Sequence, residues 1–186
     1  MIALNGRLAA ILAAGTVAGG LHGAVAGGAA PSSGDDASSA AALSSAPCTD
    51  WQGARYPAAQ ARDVASERAG GIPLPAGGTF NGVRWELGEG FVAESEIDGV
   101  LSYNAACQWL RAWRDGRNPA TALAVLTQAP EWPAFRGTES GKFVATVAEE
   151  ASAGGGETAA GMLRDCDAAH AREVVYAKSI RLQPST

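Results

Sequence analysis

Cys166 and His170 stand four residues apart, about one helical turn, and an imidazole beside a thiol suggests half of a metal site or an activated nucleophile. Zinc takes three or four such ligands, and the chain has no CxxC pair and no histidine besides His22 and His170. A Ser-His-Asp device would have to be built around the same imidazole. Neither a catalytic residue nor a metal or cofactor ligand is therefore assigned. Glu86, Glu89, Glu94, Glu96 and Asp98 concentrate carboxylates. Two facing carboxylates would hydrolyse glycosidic bonds, but negative charge here also suits the positive end of a helix dipole. Gly154-Gly155-Gly156-Glu157 lacks the lysine and the preceding strand of a phosphate loop. No run of alternating oxygen ligands for calcium appears. Among the five tryptophans, most are expected in the core; Trp109 with Trp132 is the candidate exposed pair that would mark a partner surface.

The elements that hold these residues read as helices marked by their ends. Pro57 and Gly70-Gly71 bracket a helix near 57–69. The Pro/Gly stretch 70–82 leads into Val83-Arg84-Trp85-Glu86-Leu87, whose alternation predicts a short half-buried strand. A second helix starts at 93–95, with Val100, Tyr103, Cys107 and Leu110 as its buried stripe and Trp109 and Trp113 to one side. Asn118-Pro119 is an N-cap and first-turn pair for a third helix, which turns Leu123 and Leu126 inward and ends at Pro130. Further helices cover about 139–151 and 157–171, and Val174-Val175-Tyr176 extends the last one or forms a strand. The expected fold is mainly α: a small bundle of four to five helices with at most a short strand or hairpin.

Ahead of this domain, one charge at Arg7 precedes an apolar run from Leu8 to Ala30, broken by glycines, Thr16 and His22. That is the pattern of an export signal, with Ala24-Val25-Ala26 as the cleavage triplet, or of a retained single membrane anchor. Residues 31–46 carry one large aliphatic, Leu43, and no aromatic, so they cannot bury enough apolar surface to offset their ordering entropy. The division is thus 1–30 signal or anchor, 31–46 disordered linker, and 47–186 one extracytoplasmic domain.

Outside the cytosol three cysteines, Cys48, Cys107 and Cys166, meet an oxidising environment. A Cys107–Cys166 bridge is the economical pairing because both fall on buried helix faces; Cys48–Cys107 and Cys48–Cys166 remain open. A net charge of −5 with scattered arginines disfavours nucleic acid and an anionic membrane surface as partners, since both need clustered positive charge.

The run from Tyr103 through Trp113, with Pro73-Leu-Pro75 before it and Pro130-Glu-Trp-Pro133 after it, resembles uncharacterised exported or membrane-anchored actinobacterial proteins. The likeness spans about residues 72–170 and implies location but no activity. An Arg-rich, Lys-poor, Ala- and Gly-rich composition agrees with a GC-rich genome. The reading reached is a non-enzymatic extracytoplasmic domain that binds a protein or envelope partner, with no cofactor. The alternative is a carboxylate-based hydrolase of envelope polymers.

Overall fold

In a computed structural model the described residues are 48–50, 53–85 and 90–186, with side chains from Ala54 onward. The fold is mainly helical, as expected. Three short strands, β1 (Cys48–Asp50), β2 (Gly53–Pro57) and β3 (Phe91–Ala93), form one antiparallel sheet in the order β1-β2-β3. Arg55 pairs with Cys48 on one side and with Ala93 on the other. Five α-helices lie among the described residues: α1 (Ala61–Arg68), α2 (Glu94–Arg114), α3 (Pro119–Gln128), α4 (Glu139–Ser152) and α5 (Glu157–Ser179).

The sheet is not where the alternating segment predicted it. Val83 and Trp85 are buried and Arg84 is exposed, so the alternation reports burial correctly. The Val83 amide, however, closes a turn on the Phe80 carbonyl at 3.0 Å and no strand partner runs beside 83–85. Glu86 and Leu87 lie outside the described residues. Pro57, expected as a first helical residue, ends β2; a single 3-10 turn, Ala58–Gln60, then leads into α1.

The helix starts have identifiable causes. Glu96 Oε2 accepts the Ala93 backbone amide at 2.8 Å, which is half of a capping box, because Ala93 offers no acceptor in return. Thr138 caps α4 with its hydroxyl, accepting from Gly141 N at 3.0 Å. Pro119 opens α3 as expected, but Asn118 makes no side-chain cap; its φ of 50° is the left-handed conformation asparagine tolerates best after glycine. Residues 174–176, left between helix and strand by the sequence, are helical, and α5 runs on to Ser179.

Two apolar clusters share α2. Its N-terminal half, through Ile97 and Leu101, packs with Ala61, Ala65, Val83 and Trp85. Its C-terminal half, through Ala106, Trp109 and Leu110, packs with Leu126 of α3, Val144 and Val147 of α4, and Met162 of α5. Ile97, Leu101, Leu110 and Val147 are wholly buried, each contributing about 1.5–3 kcal/mol relative to exposure. The expected stripe on α2 is half right. Cys107 and Leu110 are buried, whereas Val100 and Tyr103 are 42% and 37% exposed. A central helix covered on several sides buries small and polar residues too, here Ala105, Ala112, Ser102, Asn104 and Gln108.

The apolar run 8–30 and residues 31–46 lie outside the described residues. Among the described residues, no helix is long and apolar enough to cross a membrane.

Candidate functional site

The structure draws polar chemistry to the crossing of α2 and α5. The feature at its centre is covalent: Cys107 and Cys166 form a disulfide, with Cα atoms 5.3 Å apart, inside the range such bonds span. Both residues are buried, at 7% and 1% exposure, so the bond is part of the core. Bonded in this way, Cys166 has no thiolate to offer a metal beside His170.

Along α2, Asn104, Gln108 and Arg111 occupy one polar stripe, spaced four and three residues apart. Gln108 donates to Asn104 Oδ1 at 2.7 Å and to the Thr79 carbonyl at 2.8 Å, while its own Oε1 is buried without a hydrogen-bond partner. Asn104 in turn donates to Glu173 Oε1 on α5 at 2.6 Å. Burial pushes the Glu173 carboxyl above its ordinary range, against the pull of Arg111, Asn104 and Arg172. Arg111 is 8% exposed, and its Nε lies 3.5 Å from Asp167, an ion pair but not a hydrogen bond. Burial works against the Arg111 charge, and Asp167 supports it. Arg114 reaches the same carboxylate at 2.5 Å.

His170 faces this cluster from α5. Its Nδ1 lies 3.3 Å from the Ser185 hydroxyl, and burial together with Arg111 and Arg117 holds the imidazole below its ordinary pKa, with Asp167 opposing. Ser185 is 7% exposed and His170 is half-buried, so the hydroxyl of this serine–imidazole pair is covered while the ring is only partly so.

Of the residues singled out from sequence, Trp109 is at 7% exposure and its indole donates to the Pro73 carbonyl at 2.8 Å. It belongs to the core, and the expected exposed pair with Trp132 is not formed. A large ring with a polar tip packs inside when a loop carbonyl meets that tip, which spacing along the sequence does not reveal. Trp132 is partly buried and stacks on Phe135 with ring centres 6.1 Å apart. Trp51 lies outside the described residues.

The acidic run is engaged. Asp98 accepts two hydrogen bonds from Arg68, each at 2.5 Å, Glu94 pairs with the same guanidinium, and Glu96 caps α2. Glu86 and Glu89 lie outside the described residues.

Among the described residues, two concavities stand out. An open groove of about 510 Å³ between α3 and α4 is lined by Thr127, Pro130, Ala145, Ala148, Glu149, Ser152 and Ala153. A smaller pocket of about 260 Å³ is walled by Phe80, Trp85 and Leu182, with Arg62, Ser66 and Asn81 at hand. No group of three or more metal-ligating side chains gathers among the described residues. Set against known protein families, curated proteins and solved structures, the chain gives no match.

Proposed function

We propose that this chain is exported and that its helical domain acts outside the cytoplasmic membrane as a binding module for a protein or envelope partner. The disulfide between Cys107 and Cys166 carries the reading of location, because cytosolic thiols are kept reduced while bonds of this kind persist in oxidising compartments. The apolar run 8–30 supplies the matching export or anchor signal in the sequence. Binding is favoured over hydrolysis because Glu94 and Asp98 are both held by Arg68 and Glu96 is spent on a helix cap. The groove between α3 and α4, beside the Pro130–Trp132 connector, supplies a concave surface floored by small side chains.

The test is to express the full chain in a bacterial host with its own N-terminus and measure intact mass before and after reduction and alkylation. The expected product is in the extracytoplasmic or membrane fraction, and reduction is needed before Cys107 and Cys166 take up alkylating agent. A full-length product in the cytosol with both thiols already reactive would overturn the proposal. Photo-crosslinking from Thr127 in intact cells reports on binding: an adduct absent from a control labelled at Arg164, an exposed residue of α5 outside the groove, is expected, and identical labelling from both positions counts against the groove.

A further inference from the structure

After α5 the backbone turns sharply. Arg181 has a φ of 59°, a left-handed conformation that costs an L residue, and the Leu182 amide returns to the Ala177 carbonyl at 2.9 Å. Residues 183–186 then run back along α5 toward His170. Asn81 Nδ2 and Thr79 Oγ1 donate to the Gln183 carbonyl at 2.9 and 3.3 Å. The Thr186 amide donates to the Gly77 carbonyl at 3.2 Å, and Arg117 donates to the Thr186 carbonyl at 3.3 Å. Between these anchors Ser185 is buried against His170, its hydroxyl 3.3 Å from Nδ1. The segment is thus gripped by loop 76–81, Arg117 and one imidazole, all through polar contacts.

We propose that residues 182–186 form a strap whose clasp is the Ser185–His170 contact, and that protonation of His170 releases it. The charged groups around the imidazole decide the sign. Arg111 comes from α2 and Arg117 from the turn that follows it; both oppose a third positive charge. Asp167, on α5 itself, favours that charge but already serves Arg114 at 2.5 Å and Arg111 at 3.5 Å. Asp115 is held by Arg114 and Arg117, and Glu173, three residues on from His170, is held by Asn104. With burial added, the strapped imidazole gives up its proton more readily than an exposed histidine, whose pKa lies near 6.5. Proton binding therefore favours the state in which His170 meets water. The strap is closed above about pH 6.5 and loosens as pH falls below it.

Release has a structural result. Leu182 is one wall of the pocket formed with Phe80 and Trp85, and Asn81 both lines that pocket and holds Gln183. Opening the strap widens the pocket on that side.

The experiment measures backbone {1H}-15N NOE values for Gln183, Ser185 and Thr186, the strap residues beside Pro184 that carry an amide proton, in the full chain at about pH 7.5 and about pH 5, bracketing the histidine range. Values typical of the helices at the higher pH and a marked drop at the lower are expected, with the drop abolished in His170→Gln. Asn81→Ala leaves the imidazole untouched and removes one anchor, so it should lower the values at both pH settings and keep the step. Equal values at the two pH settings in the wild type, or a drop that survives in His170→Gln and so belongs to Glu173 or another acid, would overturn the proposal. Unchanged values in Asn81→Ala at the higher pH would show that the segment is not held as a strap.

Discussion

The α-carbon of Gly141, in the first turn of α4, lies against the carbonyl of Phe135, so that a methyl group there would overlap that carbonyl's oxygen and carbon. Phe135 is itself a core side chain at 2% exposure, and Thr138, which caps α4, donates its hydroxyl to the same carbonyl at 2.7 Å. The glycine is what lets the connector fold back over the helix start. Neither partner can move cheaply.

Gly141→Ala is therefore expected to destabilise the domain by about 1–3 kcal/mol, the usual cost of overpacking, despite alanine's better helix propensity. Gly99, inside α2, has nothing within 4 Å of the position its methyl would take. Gly99→Ala should stabilise by about 0.5–1 kcal/mol. Urea denaturation of the two variants beside the wild type checks both signs; a neutral Gly141→Ala would show that the Phe135 carbonyl yields.

Glu150 ties α4 to α5 by accepting the Ala159 amide and the Thr158 hydroxyl, each at 2.8 Å. Those bonds, the Ala159 amide foremost, hold its carboxyl below the ordinary range. An acid whose folded pKa is depressed contributes stability above its unfolded pKa and loses it as pH falls through the folded one. Glu150→Gln should lower the thermal midpoint at neutral pH and flatten its fall between about pH 5 and pH 3. Parallel curves for the two proteins over that range would refute the assignment.

Glu173 runs the other way. Burial raises its pKa, so the stability it allows at low pH is lost as pH rises from the unfolded carboxylate value toward the folded one. Glu173→Gln keeps an acceptor for Asn104 and removes the buried charge. It should match the wild type near pH 4 and be the more stable protein near pH 7.5, as read from chemical denaturation at each pH. A loss of stability at the higher pH would mean that the attraction of Arg111 outweighs desolvation.

Replacing both Cys107 and Cys166 with alanine opens a ring closed across a sequence separation of 59 residues. The chain-entropy model assigns such a closure about 4 kcal/mol, to which two lost core contacts add. Equilibrium unfolding of oxidised protein, reduced protein and the double variant separates the two contributions. The reduced form should fall between the others.

The bounds of α3, the end of α4 and the start of α5 were legible because they rest on local chemistry, whereas Pro57 closes a strand and α1 starts only at Ala61. Pro119, Pro130 and the triple glycine at 154–156 act on the backbone beside them, and α3, the end of α4 and the start of α5 fall within a residue or two of where these marks place them. The sheet was not legible, since strands of three to five residues are too short to show a period and their pairing depends on partners up to about 40 positions away. The Cys107–Cys166 pairing was within reach because both cysteines lie on inward helix faces. The polar layer escaped notice: Asn104 and Glu173 are 69 residues apart, and Ser185 lies 15 beyond His170. Its one sequence trace is the spacing of Asn104, Gln108 and Arg111 on one side of α2. Without knowing that α2 is central, such a row reads as a solvated face.

The sulfur bridge also sets how the domain answers to cutting and to pulling. Because it ties α2 to α5, the intervening α3 and α4 sit in a closed covalent circle. A protease that clips the exposed glycine turn at 154–155 leaves both fragments fastened together. Tension applied between the two strand-bearing and strap-bearing ends passes from Cys107 to Cys166 and skips the groove-forming pair, so that surface keeps its shape while the flanks give way first.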